Sequence, residues 1–425
     1  MAGFLRKQYD TDMNSWVSVD IPALAIGGEL PALRLSDTAS QSVKAVEKKA
    51  TYRMYVCGIT PYDSTHLGHA ATYLTFDLIN RYLRASGSSV NYVQNITDID
   101  DPLLERAIRD GVDWKELAHQ QIDLFRGDMV ALRVIPPAHY IGAVEAIPLV
   151  IEAVNALASR ESIYPVDTDL YFAVNKDPQF GRRSHLSSEE MATIFSERGG
   201  DPLRAGKQNP LDCLVWMSQR PNEPGWESSL GVGRPGWHIE CTAIALKYLA
   251  PLDTEVTLID IQGGGSDLIF PHHEMCAAQA HVMTGKELAA SYVHTGMIGL
   301  DGEKMSKSKG NLVFVSRLVA AGVDPMAIRW ALMSTHYRVD RMWSDEVLSK
   351  AQLEVSKVKE ALKMSDVAPT TQLVQQIAEA ISNDLDTPGA IAAVLSWSQE
   401  TMNGSSGGDV TQLRNTLDAL LGLTL

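Results

Sequence analysis

The sequence predicts an α/β fold in which a parallel sheet forms the core and an all-helical segment follows it. Two stretches, "YRMYVC" (52–57) and "VNYVQNI" (90–96), are typical of buried strands, and a helix is predicted between them at about 70–85. Strand, helix and strand in this order form a βαβ unit, which places both strands parallel in one sheet. Beyond about residue 322 the apolar residues recur only at helical spacing, which predicts a helical bundle.

The remaining elements follow in chain order. The first 50 residues are polar and weakly periodic, so we expect an N-terminal extension with an edge strand. The α/β core is predicted at 51–321, with a segment inserted at about 105–210, and the helical bundle at 322–425. The insertion begins with a helix-rich stretch and continues as strand at 163–174.

After the insertion, strands and helices alternate again. Strands are predicted at 212–217, 256–262 and 292–299, with helices that begin near Trp237 and Pro271. In the bundle, helices are predicted at 370–383, 387–402 and 409–422, and "NGSSGGD" is a flexible connector.

Composition narrows the class of function. The 37 basic and 52 acidic residues give a net charge of −15, which disfavours a protein whose main function is to bind a polyanion such as a nucleic acid. The chain starts without the apolar core of a signal peptide, and its apolar runs are too short for a membrane span. We therefore expect a cytoplasmic monomer without a membrane partner. Four scattered cysteines do not make a disulfide framework there.

The stretch "HLGH" opens the helix of the βαβ unit. A helix N-terminus presents unpaired N–H groups and the positive end of the helix dipole, so it favours phosphate. His66 and His69 would hydrogen-bond phosphoryl oxygens that gain charge in a transition state. Histidines at this spacing also occur on ordinary helix surfaces, so the motif alone leaves both interpretations open.

Two further stretches carry similar signals. "KMSKSKGN" (304–311) is a basic loop suited to a triphosphate, or simply a solvated lysine loop. In "IQGGGSDLIFPHHE" (261–274) three glycines end a strand and allow a nucleotide to approach the backbone. Asp267 follows them at the carboxyl edge of the sheet, where open α/β sheets bind ligands. "GVGRPG" (231–236) lacks a preceding strand and contains a proline, so we reject it as a dinucleotide motif.

Together these motifs resemble the class I aminoacyl-tRNA synthetases, and the match is most similar to the cysteinyl-tRNA synthetases. "CGITPYD", "HLGHA", "YVQNITDIDD", "GRPGWHIEC", "IQGGGSDLIFPHHE" and "KMSKSKGN" stand in that family's order over about 52–400. Within the superfamily the chain is still more similar to the mycothiol-pathway ligases that join cysteine to glucosaminyl-inositol. These share "ERGGDP" (197–202), "GMIG" and a short C-terminus.

The resemblance implies a Rossmann-type core that activates L-cysteine with ATP, with Mg²⁺ as the companion of ATP. It implies that His66, His69, Lys304 and Lys307 stabilise charge on the phosphates, with Asp267 as a further catalytic residue. It also implies an adenylate pocket, for which the matching positions are Cys57, Gly58, Ile59, Thr60, Thr72, Asn95, Ile96, Thr97, Trp237, Gly265, Ser266, Asp267 and Ile298. Without the resemblance, Trp237 would be interpreted as a core tryptophan.

The same resemblance implies one Zn²⁺ per chain, held by Cys57, Cys241 and His272. Two thiolates and an imidazole are a typical zinc donor set, although their spacing in the sequence is not diagnostic. Cys276 stands where cysteinyl-tRNA synthetases have a fourth ligand, a glutamate, and is one helical turn from His272. Either it closes the metal site or it is a bystander, and we expect a bystander.

Two hypotheses differ in the molecule that accepts the cysteinyl group. An amine of glucosaminyl-inositol would form an amide, whereas a tRNA hydroxyl would form an ester. The C-terminal helices end soon after "DLDTPGAIAAV", without the basic or aromatic cluster that reads anticodon bases, and 344–425 is acidic. We therefore expect the amino sugar and no tRNA, with a cysteinyl-tRNA synthetase as the alternative. An inactive binding module is disfavoured because every catalytic motif is present.

Overall fold

The structure is a computed structural model. It describes residues 14–24, 29–62, 65–250, 256–300, 302–305 and 311–425. Part of the predicted N-terminal extension therefore lies outside the described residues.

The strands follow in chain order. They are β1 (Arg34–Asp37), β2 (Ser42–Ala45), β3 (Thr51–Val56), β4 (Ser89–Ile96), β5 (His139–Gly142), β6 (Ile163–Val166), β7 (Asp169–Phe172), β8 (Cys213–Ser218), β9 (Gly233–Pro235), β10 (Thr257–Gly265), β11 (Glu287–Thr295), β12 (Ile298–Leu300), β13 (Glu303–Lys304) and β14 (Arg341–Trp343).

The α-helices connect and flank these strands. They are α1 (Leu67–Ala85), α2 (Asp101–Asp110), α3 (Trp114–Ala131), α4 (Ile147–Ala158), α5 (Ser188–Glu197), α6 (Trp237–Leu249), α7 (Glu274–Thr284), α8 (Val315–Ala320), α9 (Pro325–Met333), α10 (Asp345–Ala361), α11 (Thr371–Ser382), α12 (Thr387–Met402) and α13 (Val410–Leu421).

A five-stranded parallel sheet in the order β11-β10-β3-β4-β5 is the centre of the molecule. The βαβ prediction is confirmed, since β3 and β4 run parallel in register from Thr51 and Ser89 to Val56 and Gln94. Buried apolar residues on both sides of the sheet, such as Met54 and Tyr55, fit a sheet covered on both faces. The predicted α/β class with a helical C-terminal part is therefore confirmed.

The segment predicted as an insertion contributes to two sheets. Its helix-rich part contains β5, which pairs with β4 and extends the main sheet. Its later part forms a separate antiparallel sheet with β8 and β9, in the order β6-β7-β8-β9. The four residues of β5 are too few for a periodic signal, so this strand could not be predicted. The limits of the insertion at about 105–210 stay a prediction.

The C-terminal part contains the helices α9 to α13, and the three predicted near 370, 387 and 409 are confirmed within one residue or two. One strand interrupts them, because β14 pairs parallel with β12 of the core. A buried ion-pair network also ties the bundle to α1, since Asp77 accepts hydrogen bonds from both Arg81 and Arg329. Among the described helices, none is both long enough and apolar enough to cross a bilayer.

Candidate active site and metal cluster

The end of β3 forms a tight junction with the end of β4. Gly58 donates its N–H to Oδ1 of Asn95 at 2.8 Å, and the hydroxyl of Tyr55 donates to the same oxygen at 3.1 Å. Nδ2 of Asn95 in turn donates to Oγ1 of Thr97 at 3.2 Å. A Cβ at Gly58 would lie 1.7 Å from the backbone oxygen of Asn95, so only glycine fits. Asn95 and Thr97, both predicted pocket residues, therefore hold the backbone next to Cys57.

The two histidines of "HLGH" lie at the start of α1. His66 is the N-cap residue, and its Nδ1 accepts the N–H of Gly68 at 3.1 Å. The rings of His66 and His69 stack with centroids 3.7 Å apart, and both residues are half-buried. Leu67 donates its N–H to the carbonyl of Val313 at 2.9 Å, a residue just after the "KMSKSKGN" loop. The structure therefore brings the chain that follows the basic loop to the histidine motif.

The structure describes only part of the basic loop that carries Lys304 and Lys307. Lys304 ends β13, which pairs antiparallel with β12 through Gly299, and its side chain lies outside the described part. Lys307 falls within 306–310, outside the described residues. Their roles stay predictions.

The glycine run at the end of β10 lies against close neighbours. A Cβ at Gly263 would lie 2.1 Å from the ring of Phe76, and one at Gly264 would lie 3.1 Å from the ring of His273. Gly265 lies close to the predicted pocket residue Thr72, whose Oγ1 would be 3.9 Å from a Cβ there. The backbone of these glycines is thus packed against α1 and against the histidine turn that follows.

Asp267 lies in a short 3-10 turn after the glycine run. Arg198, from the "ERGGDP" motif, donates from its guanidinium to the backbone carbonyls of both Asp267 and Phe270. The resemblance had given this motif no structural role. Its arginine fixes the turn that carries Asp267.

Cys57, Cys241 and His272 form a buried cluster. Cys57 follows β3, Cys241 lies in the second turn of α6, and His272 precedes α7. One ligand atom from each lies within 4.8 Å of the others, and all three residues are at most 5% exposed. Two sulfurs and one imidazole nitrogen at this separation suit a metal ion that prefers soft and borderline ligands.

Cys276 lies beside this cluster and is not part of it. Its Sγ is 3.3 Å from the backbone oxygen of His238, to which it donates, and 3.8 Å from Nε2 of His272. Nδ1 of His272 is 3.0 Å from Nδ1 of His238, and the ring of Trp237 lies 4.4 Å from that of His272. His238 and Trp237 therefore orient the imidazole of His272.

A chain of hydrogen bonds leads from Cys57 to the N-terminal strands. Its Sγ is 3.2 Å from Nε2 of His273, whose Nδ1 is 2.8 Å from Nε2 of His294. Nδ1 of His294 is 2.7 Å from Oγ1 of Thr38, just after β1. We did not predict His238, His273 or His294. The signals in the sequence were that His273 stands next to His272 and that His238 follows Trp237 in "GRPGWHIEC".

The two thiols of the cluster have pKa values that are shifted in opposite directions. Burial raises the pKa of Cys57, and the adjacent Cys241 raises it further. Burial would also raise the pKa of Cys241, but a hydrogen bond from Cys57 and the charge of His272 hold it well below the usual value. Burial opposes protonation of His272, yet the neighbouring Cys276 and Cys241 raise its pKa. The neighbouring groups thus shift the pKa values of Cys57 and Cys241 in opposite directions.

A cavity of about 660 Å³ opens beside the cluster. Of the predicted pocket residues, Thr60, Trp237 and Asp267 line it, together with Glu197–Asp201. Ile59, Ile96 and Ile298 are buried in the core, and Ser266 lies in the same 3-10 turn as Asp267. Seven carboxylates line the cavity against three guanidinium groups, so its formal charge is −4.

Comparison with known proteins agrees with the fold. A family model described as "tRNA synthetases class I (C) catalytic domain" matches residues 42–353. The structure is similar to that of methionyl-tRNA synthetase from Mycobacterium tuberculosis in complex with methionyl-adenylate. The TM-score is 0.62 at 17% identity over 88% of this chain and 90% of that one, which shows a shared fold. The parallel sheet and the "HLGH" helix therefore belong to a class I aminoacyl-tRNA synthetase catalytic domain.

Two relatives narrow the family. The chain is 52% identical over 421 residues to the L-cysteine:1D-myo-inositol 2-amino-2-deoxy-alpha-D-glucopyranoside ligase of Thermomonospora curvata, covering 97% of this chain and 100% of that protein. It is 53% identical to the ligase of the same name from Kribbella flavida, with the same coverage. The chain belongs to this ligase family.

Proposed function

We propose that this chain is an ATP-dependent, AMP-forming ligase that joins L-cysteine to the amine of 1D-myo-inositol 2-amino-2-deoxy-alpha-D-glucopyranoside, a step of mycothiol biosynthesis. Family membership supports the reaction, since relatives that are half identical over almost the whole chain carry this name. The observation that carries the proposal is the placement of an acidic cavity directly beside a buried Cys-Cys-His cluster.

The first half-reaction forms cysteinyl-adenylate. The cysteine carboxylate attacks the α-phosphorus of ATP, and pyrophosphate leaves with its electron pair. His66 and His69, which lie at the positive end of α1, would stabilise the charge that develops on the α-phosphate. Lys304 and Lys307 would hold the departing pyrophosphate, and ATP would arrive with Mg²⁺.

Zn²⁺ is the metal we propose for the cluster, with Cys57, Cys241 and His272 as the protein ligands. The fit rests on the donor set and on the separation of the three ligand atoms. Cys276, whose sulfur donates to the carbonyl of His238, stays a bystander in this proposal. Zn²⁺ held by these three residues would also bind the thiol of the substrate, which would select cysteine over serine.

The second half-reaction forms the amide. The amine of the acceptor attacks the acyl carbon, and the bond between that carbon and the phosphate oxygen breaks to release AMP. The acceptor enters as an ammonium ion and must lose a proton first. The lining of the cavity carries more carboxylates than guanidinium groups, which suits a cationic amino sugar. This surplus of carboxylates favours the amine acceptor.

Asp267 is our candidate for the group that accepts this proton, with binding of the cysteine amino group as its competing role. It lines the cavity, and the contacts of Arg198 hold its turn in place. Asp267→Asn separates the two roles. If cysteine binding weakens while single-turnover amide formation from preformed adenylate is unchanged, Asp267 is not the base.

The acceptor test decides the proposed function. Purified protein with cysteine and ATP should release AMP rapidly when glucosaminyl-inositol is added, and mass spectrometry should detect the amide. Transfer RNA should not stimulate AMP release. Stimulation by tRNA alone would overturn the proposal in favour of a cysteinyl-tRNA synthetase.

A further inference from the structure

One carboxylate of the cavity has not been given a role. Glu240 lines the cavity and is 1% exposed, and within the described ranges its Oε2 has no hydrogen-bond partner. A buried polar group without a partner costs roughly 1–3 kcal/mol, more when it is charged, so it is retained only where something compensates. Glu240 therefore points to a ligand group that the cavity receives.

The position of Glu240 on α6 explains how it reaches the cavity. It precedes Cys241, and consecutive residues of an α-helix point about 100° apart because there are about 3.6 residues per turn. The side chain of Cys241 meets the metal cluster, so that of Glu240 faces a different direction, toward the cavity. One turn of α6 thus serves both sites.

Two further carboxylates surround Glu240. Asp100 lines the same cavity, and both Asp98 and Asp100 interact electrostatically with Glu240. Oδ1 of Asp98 is used by the N–H of Val144, and Oδ1 of Asp100 by the N–H of Asp101. Among the described residues, Oδ2 of Asp100 and Oε2 of Glu240 are therefore the oxygens that remain for another partner.

We infer that Glu240 and Asp100 form the subsite for the acceptor's ammonium group. This inference rests on the proposed function, since it supposes an amine acceptor. Two oxygens with unused lone pairs suit the several N–H donors of a primary ammonium. Trp237 also lines the cavity, and an indole ring attracts a nearby cation.

A divalent cation is a weaker candidate for this subsite. Hard cations need several oxygens close together. In the part of the chain that the structure describes, the Cys57, Cys241 and His272 cluster is the group whose three ligand atoms approach within 4.8 Å, and these carboxylates form no such group. Their wider spacing suits an ammonium that hydrogen-bonds to oxygens on different sides.

The test compares two probes that differ only at the nitrogen. Glucosaminyl-inositol and glucosyl-inositol, in which a hydroxyl replaces the amine, are titrated calorimetrically into the zinc-loaded full chain. For Glu240→Gln we expect the affinity for the amine to fall about 10- to 100-fold, because a charge-assisted hydrogen bond is lost. The affinity for the hydroxyl analogue should change less than about 2-fold, since it carries no charge.

Three comparisons complete the design. Glu240→Asp keeps the charge and should restore part of the preference for the amine. Asp100→Asn should also lower that preference, and it is expected to fold because Asn caps a helix as well as Asp does. Glu116→Gln removes an exposed charge outside the cavity and should leave both affinities unchanged.

The outcomes separate this inference from the proposed function. If Glu240→Gln weakens both probes equally, or loses zinc and cysteine-dependent pyrophosphate exchange, Glu240 supports the metal cluster and the inference is wrong. If Glu240→Gln does not fold, an unchanged preference for the amine in Asp100→Asn overturns it. If the unaltered protein neither binds glucosaminyl-inositol nor forms the amide, the proposed function itself fails.

Discussion

The junction at Gly58 allows a prediction whose magnitude follows from the structure. In Gly58→Ala the added Cβ would lie 1.7 Å from the backbone oxygen of Asn95, whereas real Cβ contacts essentially never fall below 3.0 Å. The two strand ends must therefore separate by about 1.3 Å. That movement would break the 2.8 Å hydrogen bond from Gly58 to Oδ1 of Asn95 and displace Cys57.

Both activity and stability should respond. A misplacement of about 1 Å at a reacting centre costs about 10²-fold in rate, so cysteine-dependent pyrophosphate exchange should fall at least that much. Overpacking of a tight site costs about 1–3 kcal/mol, which a denaturant titration would measure as a lower free energy of unfolding.

Gly127→Ala is the matched control. Gly127 is exposed in the interior of α3, and a Cβ there would meet nothing within 4 Å. Alanine should raise the free energy of unfolding by roughly 0.5–1 kcal/mol, because glycine disfavours a helix, and leave exchange unchanged. If Gly58→Ala keeps exchange within about 3-fold of the unaltered protein and unfolds at the same denaturant concentration, the junction is not tight and the reasoning is refuted.

Further predictions concern the metal, the basic loop and a buried carboxyl. Cys241→Ser should lower the zinc affinity at least about 100-fold, as measured by competition with a chelator, whereas Cys276→Ser should retain zinc. If both variants retain zinc, the ligand assignment is wrong. Lys304→Ala and Lys307→Ala should each slow pyrophosphate exchange about 10²-fold, and near-normal exchange would mean a merely solvated loop. Burial raises the pKa of Asp128 to about 7, so its ionisation lowers stability progressively from about pH 4 to 7. Asp128→Asn should therefore raise the melting temperature at pH 8 but not at pH 4; an equal shift at both would exclude ionisation as the cause.

Local patterns were sufficient for the larger elements of the fold. The apolar run of β3 and the longer apolar stretch after Trp237 have the lengths of a buried strand and a buried helix, so their type could be predicted. The short strands β5 and β14 could not, because three or four residues carry no period and owe their conformation to the strands they pair with.

In the candidate site, too, some residues could be predicted from the sequence and others could not. The resemblance supplied the three residues of the metal cluster, and the structure places their ligand atoms together. The residues around them were not predicted, because contacts such as those of His238 with His272 and of Thr38 with His294 form only through tertiary packing. Arg198 is a similar case, since its contact with the carbonyl of Asp267 spans 69 positions in the sequence.

The first two turns of α6 provide a physical link between the two half-reactions. Trp237 packs its ring 4.4 Å from His272 and lines the cavity, Cys241 belongs to the metal cluster, and Glu240 faces the cavity between them. A rigid helix fixes these side chains relative to one another, so the site proposed for the cysteine thiol and the site proposed for the attacking ammonium cannot shift independently. Because holding two reactants in a fixed geometry supplies much of the rate of such a step, α6 would align the acceptor with the adenylate without a large closing motion.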